Sequence, residues 1–167
     1  IMESARRLLG TSAAAVFRYD GQAMHLVGTH GWPAETPEDA RRPYPGPPNA
    51  GTISGRAILS RAVQSIADTR AEPGYDQATA QMGHSRRLIA TPMLKDGQPI
   101  GVIAVAWPEP GETPPRQREL LGDIAEGNVG EFMKYLPSVT ADFADPTILS
   151  ISVRGLNSYL TTVTSDG

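Results

Sequence analysis

The sequence predicts an α+β domain in which a central antiparallel sheet of five to six strands is flanked by an N-terminal and a C-terminal helix. Two pairs of apolar, β-type segments are each joined by an Asp-Gly turn, which is a strong hairpin signal: 13–19 with 22–30, and 86–94 with 98–107. Helical periodicity precedes the first pair at residues 2–9 and follows the second at residues 113–136. Two hairpins between terminal helices indicate an antiparallel sheet that helices cover.

The last strand of the second hairpin is apolar on both sides. Two sets alternate along it: Ile100, Val102, Ala104 and Ala106 on one face, and Ile103, Val105 and Trp107 on the other. A strand that is covered on both faces usually lies in the centre of its sheet. We therefore expect residues 98–107 to be central, with helices on at least one face of the sheet.

Between the two hairpins, the chain passes through two irregular crossing regions at residues 31–52 and 68–84. Proline-rich residues 43–51 exclude regular structure there and predict an extended path over the surface. The regular segments predicted in this part of the chain are short: a helical turn at 36–42, a helix at 53–61, a strand at 62–67 and a helix at 75–83.

The C-terminal helix at residues 113–136 has Thr113 as its expected cap and Pro114 in its first turn. One apolar stripe runs along it: Leu121, Ala125, Val129, Phe132 and Leu136. Two interpretations stay open. The helix packs on its own sheet along its whole length, or its far half extends beyond the domain and pairs with a second copy. In the second case Leu121, Val129, Phe132 and Leu136 form a homodimer contact.

Composition narrows the classes of function. The net charge of −3 and the absence of a basic stripe argue against nucleic-acid binding, which needs a concentrated positive face. No apolar run approaches the roughly 18–20 residues of a membrane span, so we expect no membrane insertion. The chain contains no cysteine, which excludes disulfides, thiolate metal sites and cysteine nucleophiles. With no targeting segment visible, we expect a cytoplasmic location.

Three stretches resemble bacterial GAF domains, within the broader GAF/PAS class, and they occur in the GAF order: ARRLLGTSAAAVFRYDGQAMHLVGTHG, GTISGRAILSRAVQSIADTRAEPGYD and RRLIATPMLKDGQPIGVIAVAW. The resemblance covers about residues 2–127 and predicts a GAF domain at 1–136. Residues 137–167 are then a tail or the start of a following output region, with a strand predicted at 147–153. Residues 134–156 resemble the junction into class III nucleotide cyclases, although Ser152 stands where those enzymes have a metal-binding aspartate.

The resemblance implies a small-molecule sensor in a bacterial signalling protein, such as a two-component sensor kinase or a nucleotide cyclase, that relays its ligand state through the terminal helices. The GAF pocket lies between the sheet and the crossing regions. Histidines, aromatic residues and arginines near those regions, with one methionine and one threonine, are the candidate ligand-binding residues: His30, Trp32, Arg56, Tyr75, Met82, His84, Arg86 and Thr91. The arginines could hold an anionic ligand by bidentate contacts.

Catalytic patterns are absent: the chain has no Gly-x-Ser-x-Gly elbow, no Walker loop and no His-Glu-x-x-His. Two properties of GAF relatives, methionine sulfoxide reduction and covalent bilin attachment, depend on cysteine and are not expected here. We therefore predict a domain that is not itself an enzyme and that has no metal site. Two alternatives are a dimerisation module without a ligand, and a haem or gas sensor that uses His30 or His84.

Overall fold

Five antiparallel strands form one sheet in the computed structural model, which describes residues 2–31, 44–82 and 85–133. The strands are β1 (Ala13–Tyr19), β2 (Met24–His30), β3 (Gln64–Ile66), β4 (Arg87–Lys95) and β5 (Gln98–Trp107). Their order across the sheet is β2-β1-β5-β4-β3. The helices are α1 (Met2–Leu9), α2 (Ile53–Ser60), α3 (Gln77–Met82) and α4 (Pro115–Met133). The predicted α+β class, with an antiparallel sheet and terminal helices, is confirmed.

The sheet is covered on both faces. Helices α1 and α4 pack on the first, which we call the terminal-helix face. Helix α2 and the segments at 44–52 and 67–82 pack on the second, which we call the crossing-segment face. Each face carries its own cluster of buried apolar side chains, so the sheet lies in the middle of a three-layer arrangement.

Strand β5 lies in the centre of the sheet, as its two apolar sets predict. Val102 belongs to the cluster on the crossing-segment face, and Ile103 and Val105 belong to the cluster on the terminal-helix face. The expectation for Ile100 is wrong, because this side chain packs with the terminal-helix cluster instead of with Val102. Met93 of β4 is opposite Gly101 and Leu94 is opposite Pro99, so a bulge leaves Ile100 as an extra residue of β5. The bulge changes the face of the sheet on which the Ile100 side chain lies.

The two Asp-Gly turns differ in length. Asp96 and Gly97 form a two-residue hairpin loop, and both have positive φ, at 51° and 73°, as a type I′ turn requires. The first loop is longer because the Asp20 carboxylate accepts hydrogen bonds from the N–H groups of Gln22 and Ala23, at 2.9 and 2.8 Å. These hydrogen bonds to Asp20 take the place of bonds between the strands, so β2 begins at Met24 and not at the predicted residue 22.

Helix α4 packs on its own sheet. Leu121 is fully buried among residues of the terminal-helix face, and Val129 packs against the same cluster. The expectation that Leu121 is available to a partner helix is therefore wrong. The side chain of Phe132, the whole of Leu136, the predicted turn at 36–42 and all of 137–167 lie outside the described residues. No helix in the described ranges is long and apolar enough to cross a membrane.

Glycine 55 is required by a close approach of two backbone segments. A Cβ atom at this position of α2 would lie 2.0 Å from the carbonyl oxygen and 2.6 Å from the amide nitrogen of Asn49. Both are backbone atoms, so a side chain cannot be accommodated by a rotamer change. We predict that Gly55→Ala lowers the free energy of unfolding by about 1–3 kcal/mol or more. Urea denaturation would measure this loss.

The matched control is Gly122→Ala in α4, where an added Cβ meets no atom within 4 Å. This variant should raise the free energy of unfolding by up to about 1 kcal/mol, because alanine is the better helix former. Equal effects of the two substitutions would contradict the close approach at Gly55.

The expected capping role of Thr113 is wrong. Its hydroxyl is buried without a hydrogen-bond partner among the described residues, whereas the Thr52 hydroxyl caps α2 by accepting from the N–H of Gly55 at 3.1 Å.

We predict opposite results for the same substitution at Thr113 and at Thr52. Thr113→Val should raise the free energy of unfolding by about 1 kcal/mol, because an unpaired buried hydroxyl is costly, and Thr52→Val should lower it by about 1 kcal/mol. Thermal and urea denaturation would measure both; destabilisation by Thr113→Val would indicate a bonded hydroxyl.

Candidate functional site

A cleft of about 370 Å³ opens beside the edge strand β2. One wall is formed by residues 25–29 of β2, and the other by Tyr44 and Pro45 of the first crossing segment. Small-molecule sites in proteins are typically clefts of ~300–1,000 Å³. The cleft is therefore large enough for a small ligand, and it lies where the sheet meets a crossing segment.

The crossing segment is attached to β2 at one point. The N–H of Met24 donates to the carbonyl of Gly46 at 2.7 Å, and the N–H of Gly46 donates back to the carbonyl of Met24 at 3.2 Å. This pair is an isolated antiparallel bridge. The chain separates from β2 on the Tyr44 side of the bridge, and the cleft occupies the space between them.

A β-bulge at Val27 decides which side chains of β2 face the cleft. Directly opposite residues of neighbouring strands point to the same face. Leu26 is opposite Phe17 and Thr29 is opposite Ala15, both partners being in the crossing-segment cluster. The extra residue, Val27, thus brings Leu26 and Thr29 to the same face although they are three residues apart.

Tyr44 anchors the far wall of the cleft. Its ring packs on Phe17 with the ring centroids 4.7 Å apart and the planes at 48°. Burial raises the pKa of the Tyr44 hydroxyl, and a hydrogen bond with Thr52 opposes that shift. The phenol is therefore neutral near pH 7, and Thr52 is its hydrogen-bond partner.

Tyr75 is buried in the crossing-segment cluster beside the same region. Burial raises its pKa strongly, and the proximity of Tyr44 adds to the shift. The Arg56 guanidinium lies 5.9 Å from the centre of the Tyr75 ring, at cation–π distance. Of the predicted ligand-binding residues, the structure brings these two, Arg56 and Tyr75, together.

Arg56 holds the crossing segments. Its Nε donates to the carbonyl of Ala50 at 2.7 Å, its Nη1 donates to the Glu72 carboxylate at 2.5 Å, and its Nη2 donates to the carbonyl of Pro73 at 3.0 Å. All three nitrogens thus have partners within the chain. The arrangement gives Arg56 a role in fastening residues 50 and 72–73 to α2, in place of the anion contact expected from the sequence.

Arg86 makes a comparable contact at the start of β4. Its Nε and Nη2 donate to the two oxygens of the Asp68 carboxylate, at 2.7 and 2.5 Å. The neighbouring Thr69 is also fixed, because its N–H donates to the carbonyl of Arg86 and its hydroxyl to the carbonyl of Ser85, each at 2.8 Å. Bidentate pairing to Asp68 replaces the expected bidentate contact with a ligand.

Two of the predicted residues lie on the terminal-helix face, away from the cleft. Thr91 is buried opposite Ile103, which packs beneath α1 and α4. His30 is opposite Ala14 of the same cluster, because the bulge at Val27 reverses the alternation that starts at Met24. The expectation that these side chains share one pocket with Arg56 and Tyr75 is therefore wrong.

Three predicted residues cannot be placed beside the others: Trp32, His84 and the side chain of Met82 lie outside the described residues. Of the two predicted haem ligands, His30 lies on the terminal-helix face and His84 lies outside the described residues. In the described ranges, no group of three or more histidine, cysteine or acidic side chains is placed to hold a metal ion.

The cleft residues were not found from the sequence. Leu26 and Thr29 lie within a strand whose simple alternation places them on opposite faces, and no sequence signal marks the bulge. Tyr44 and Pro45 belong to the proline-rich run, where an aromatic residue between two prolines was the available signal. An aromatic ring in a segment that cannot form regular structure must be stabilised by tertiary packing.

Several solved structures share this fold. The GAF domain of a phosphoenolpyruvate-protein phosphotransferase from Coxiella burnetii matches with a TM-score of 0.65 and 15% identity, covering 80% of this chain and 78% of that one. The domain of a "putative two-component sensor histidine kinase protein" from Sinorhizobium meliloti 1021 matches with a TM-score of 0.61 and 12% identity, covering 80% of this chain and 85% of that one. At these identities the likeness establishes the fold alone.

Enzymes also have this fold. The type II free methionine-R-sulfoxide reductase from Thermoplasma acidophilum matches with a TM-score of 0.63 and 15% identity, covering 81% of this chain and 91% of that one. The prediction of a domain that is not an enzyme relied on the absence of cysteine and of catalytic motifs, and it is contradicted by this finding, because enzymes also have this fold. None of the curated proteins matches this chain in sequence.

The family is established by a sequence match. The family model described as a GAF domain matches residues 1–127. This range includes the sheet, the cleft, helices α1 to α3 and the greater part of α4. It also agrees with the extent of the sequence resemblance. The chain belongs to the GAF domain family.

Proposed function

We propose that this chain is a small-molecule-sensing regulatory GAF domain of a bacterial signalling protein. The observation that carries the proposal is the cleft of about 370 Å³ between β2 and residues Tyr44 and Pro45. Its walls combine apolar side chains with a few hydrogen-bonding groups, which is the usual composition of a small-molecule site. The fold relatives from a phosphotransferase and a sensor kinase protein support a role in signalling.

The crossing segments, the first of which contains the Tyr44 wall, are fixed within the chain. Arg56 fastens residues 50 and 72–73 to α2, and Arg86 fastens Asp68 to the start of β4. A further bond from the N–H of Asp76 to the carbonyl of Gly51 joins the two crossing segments at 2.8 Å. A preformed site loses less conformational entropy on binding than a loose one, which favours affinity.

The sheet offers a route from the cleft to the terminal helices. Residues of β1 alternate between the two clusters: Phe17 packs on the crossing-segment face beside Tyr44, and Val16 packs beneath α1 and α4. A ligand that moves the Tyr44 wall would therefore act on a strand whose other side contacts the output helices. Binding shifts the signalling state only if the ligand prefers one arrangement of these layers.

The full proposal places the domain in the cytoplasm, in a two-component kinase or a nucleotide cyclase whose output region belongs to the same polypeptide. Homodimerisation through the end of α4 is part of the proposal, and it depends on Phe132 and Leu136. The two alternatives from the sequence, a dimerisation module without a ligand and a haem sensor, stay predictions. The cleft favours the small-molecule sensor over both.

A thermal-unfolding screen of metabolites and nucleotides tests the proposal. A ligand present at 100 times its Kd should stabilise the domain by about 2.7 kcal/mol. Thr29→Arg, which puts a long charged side chain into the cleft, should remove the shift. The matched control is Leu59→Arg, because Leu59 is exposed on α2 and does not line the cleft. A broad screen without a hit, or a hit that Thr29→Arg leaves unchanged, would contradict the proposal.

The Asp68–Arg86 pair predicts that the second crossing segment loosens in acid. Hydrogen bonds from Arg86 lower the pKa of Asp68 from 3.8 to about 2 in the folded protein. The ionised carboxylate therefore contributes stability above pH 3.8 that is lost as the pH falls towards 2. We expect Asp68→Asn to be less stable than the wild type at pH 6 and to lose less stability between pH 6 and about 3.

Urea denaturation at a series of pH values would measure this difference. Glu126→Gln is the matched control, because Glu126 is exposed on α4 and makes no ion pair among the described residues. Its stability curve should run parallel to that of the wild type. Parallel curves for the wild type and Asp68→Asn would show that the ion pair does not contribute.

A further inference from the structure

The outer edge of β2 carries a donor and an acceptor at Leu26 that have no partner among the described residues. Both backbone groups of Met24 bond to Gly46, so the backbone of Met24 points away from β1. Alternate residues of a strand direct their backbone groups to the same side. The N–H and C=O of Leu26 therefore also point outward, beside the cleft.

The ladder with the crossing segment stops before it reaches Leu26. In the antiparallel register set by Met24 and Gly46, the residue opposite Leu26 would be Tyr44. Tyr44 instead directs its ring onto Phe17, and the intervening Pro45 has no N–H to donate. Among the described residues none pairs with the outward groups of Leu26. The cleft lies where the missing pair would be.

The walls of the cleft are mainly uncharged. The side chain of Leu26, the ring of Tyr44 and Pro45 supply apolar surface, and Thr29 supplies a hydroxyl. His25 also borders the cleft, and its Nε2 lies 2.6 Å from the Asp20 carboxylate. A charged ligand would lose its hydration without gaining a free counter-ion from these walls.

The two arginines that hold the crossing segments are also occupied. Arg56 bonds to Glu72 and to two carbonyls, and Arg86 bonds to Asp68. To bind either arginine, an anionic ligand would have to displace the carboxylate of Glu72 from Arg56 or that of Asp68 from Arg86. The electrostatic surroundings therefore favour a neutral ligand with hydrogen-bonding groups over a carboxylate or phosphate.

We propose that the cleft binds a small uncharged molecule that has a planar amide-type group next to a ring. The amide N–H donates to the carbonyl of Leu26 and its oxygen accepts from the N–H of Leu26, so the ligand continues the ladder that ends at Gly46. The ring lies between Tyr44 and the side chain of Leu26. This inference rests on the proposed function and specifies the ligand class of the same cleft.

Three matched probes test the ligand class without changing the protein: benzamide, N,N-dimethylbenzamide and benzoate. All three have the same ring. N,N-dimethylbenzamide lacks the N–H donor of benzamide, and benzoate lacks that donor and carries a negative charge. Titration of the whole chain would be followed by amide proton–nitrogen NMR. We expect benzamide to shift the amide signals of residues 26–29, and each other probe to bind about fivefold to tenfold more weakly, as the loss of one hydrogen bond implies.

Tyr44→Leu provides a second measurement. It removes the ring that all three probes contact, so it should weaken all three by a similar factor and leave their ratios unchanged. Leu59→Ala, at an exposed position of α2, should change neither affinities nor ratios. If Tyr44→Leu does not fold, the ratios among the probes on the wild-type chain still decide the question.

Three results would overturn the inference. These are binding of benzoate as tight as that of benzamide, shifts centred outside residues 26–29, and no binding of any probe at about 10 mM. The metabolite screen separates these failures from failure of the proposed function. A metabolite hit that Thr29→Arg removes, together with any of the three results, would keep the sensor and discard this ligand class.

Discussion

Burial of β5 on both faces is the constraint on which the rest of the structure depends. Val102, Ile103 and Val105 have at most 1% of their surface exposed, and the strand is paired on both sides, with β1 and with β4. Such a strand needs an apolar layer on each face of the sheet. The terminal helices supply one layer, and α2 with the crossing segments supplies the other. The two covering layers are thus separated by the thickness of one sheet.

The edge of the sheet has the opposite character. Strand β2 is paired on one side by β1 and on the other only through Met24 among the described residues. Unpaired strand edges bind other chains or ligands unless they are covered or bent. Here the bulge at Val27 bends the strand, and the crossing segment covers its first residue. The remaining edge borders the cleft, where the proposed ligand would meet its backbone groups.

Charge in this domain holds loops in place. Arg56 and Arg86 each fasten a crossing segment through a carboxylate of that segment, Glu72 and Asp68. Partly exposed ion pairs of this kind contribute little to global stability, but they restrict the positions that a loop can take. Because Tyr44 and Pro45 of the first crossing segment form a wall of the cleft, this restriction matters more for the positions of the crossing segments than for the free energy of unfolding.

The sequence by itself determined the elements, their order and the central place of β5, because apolar periodicity, Asp-Gly turns and strand burial are local properties. It also determined the family, through three stretches in the right order. The tertiary structure alone decided the site. The bulge at Val27 moves His30 to the terminal-helix face and brings Leu26 and Thr29 together. Whether Arg56 and Arg86 bind a ligand or a carboxylate of the chain depends on which residues folding places beside them, and no local pattern encodes that contact.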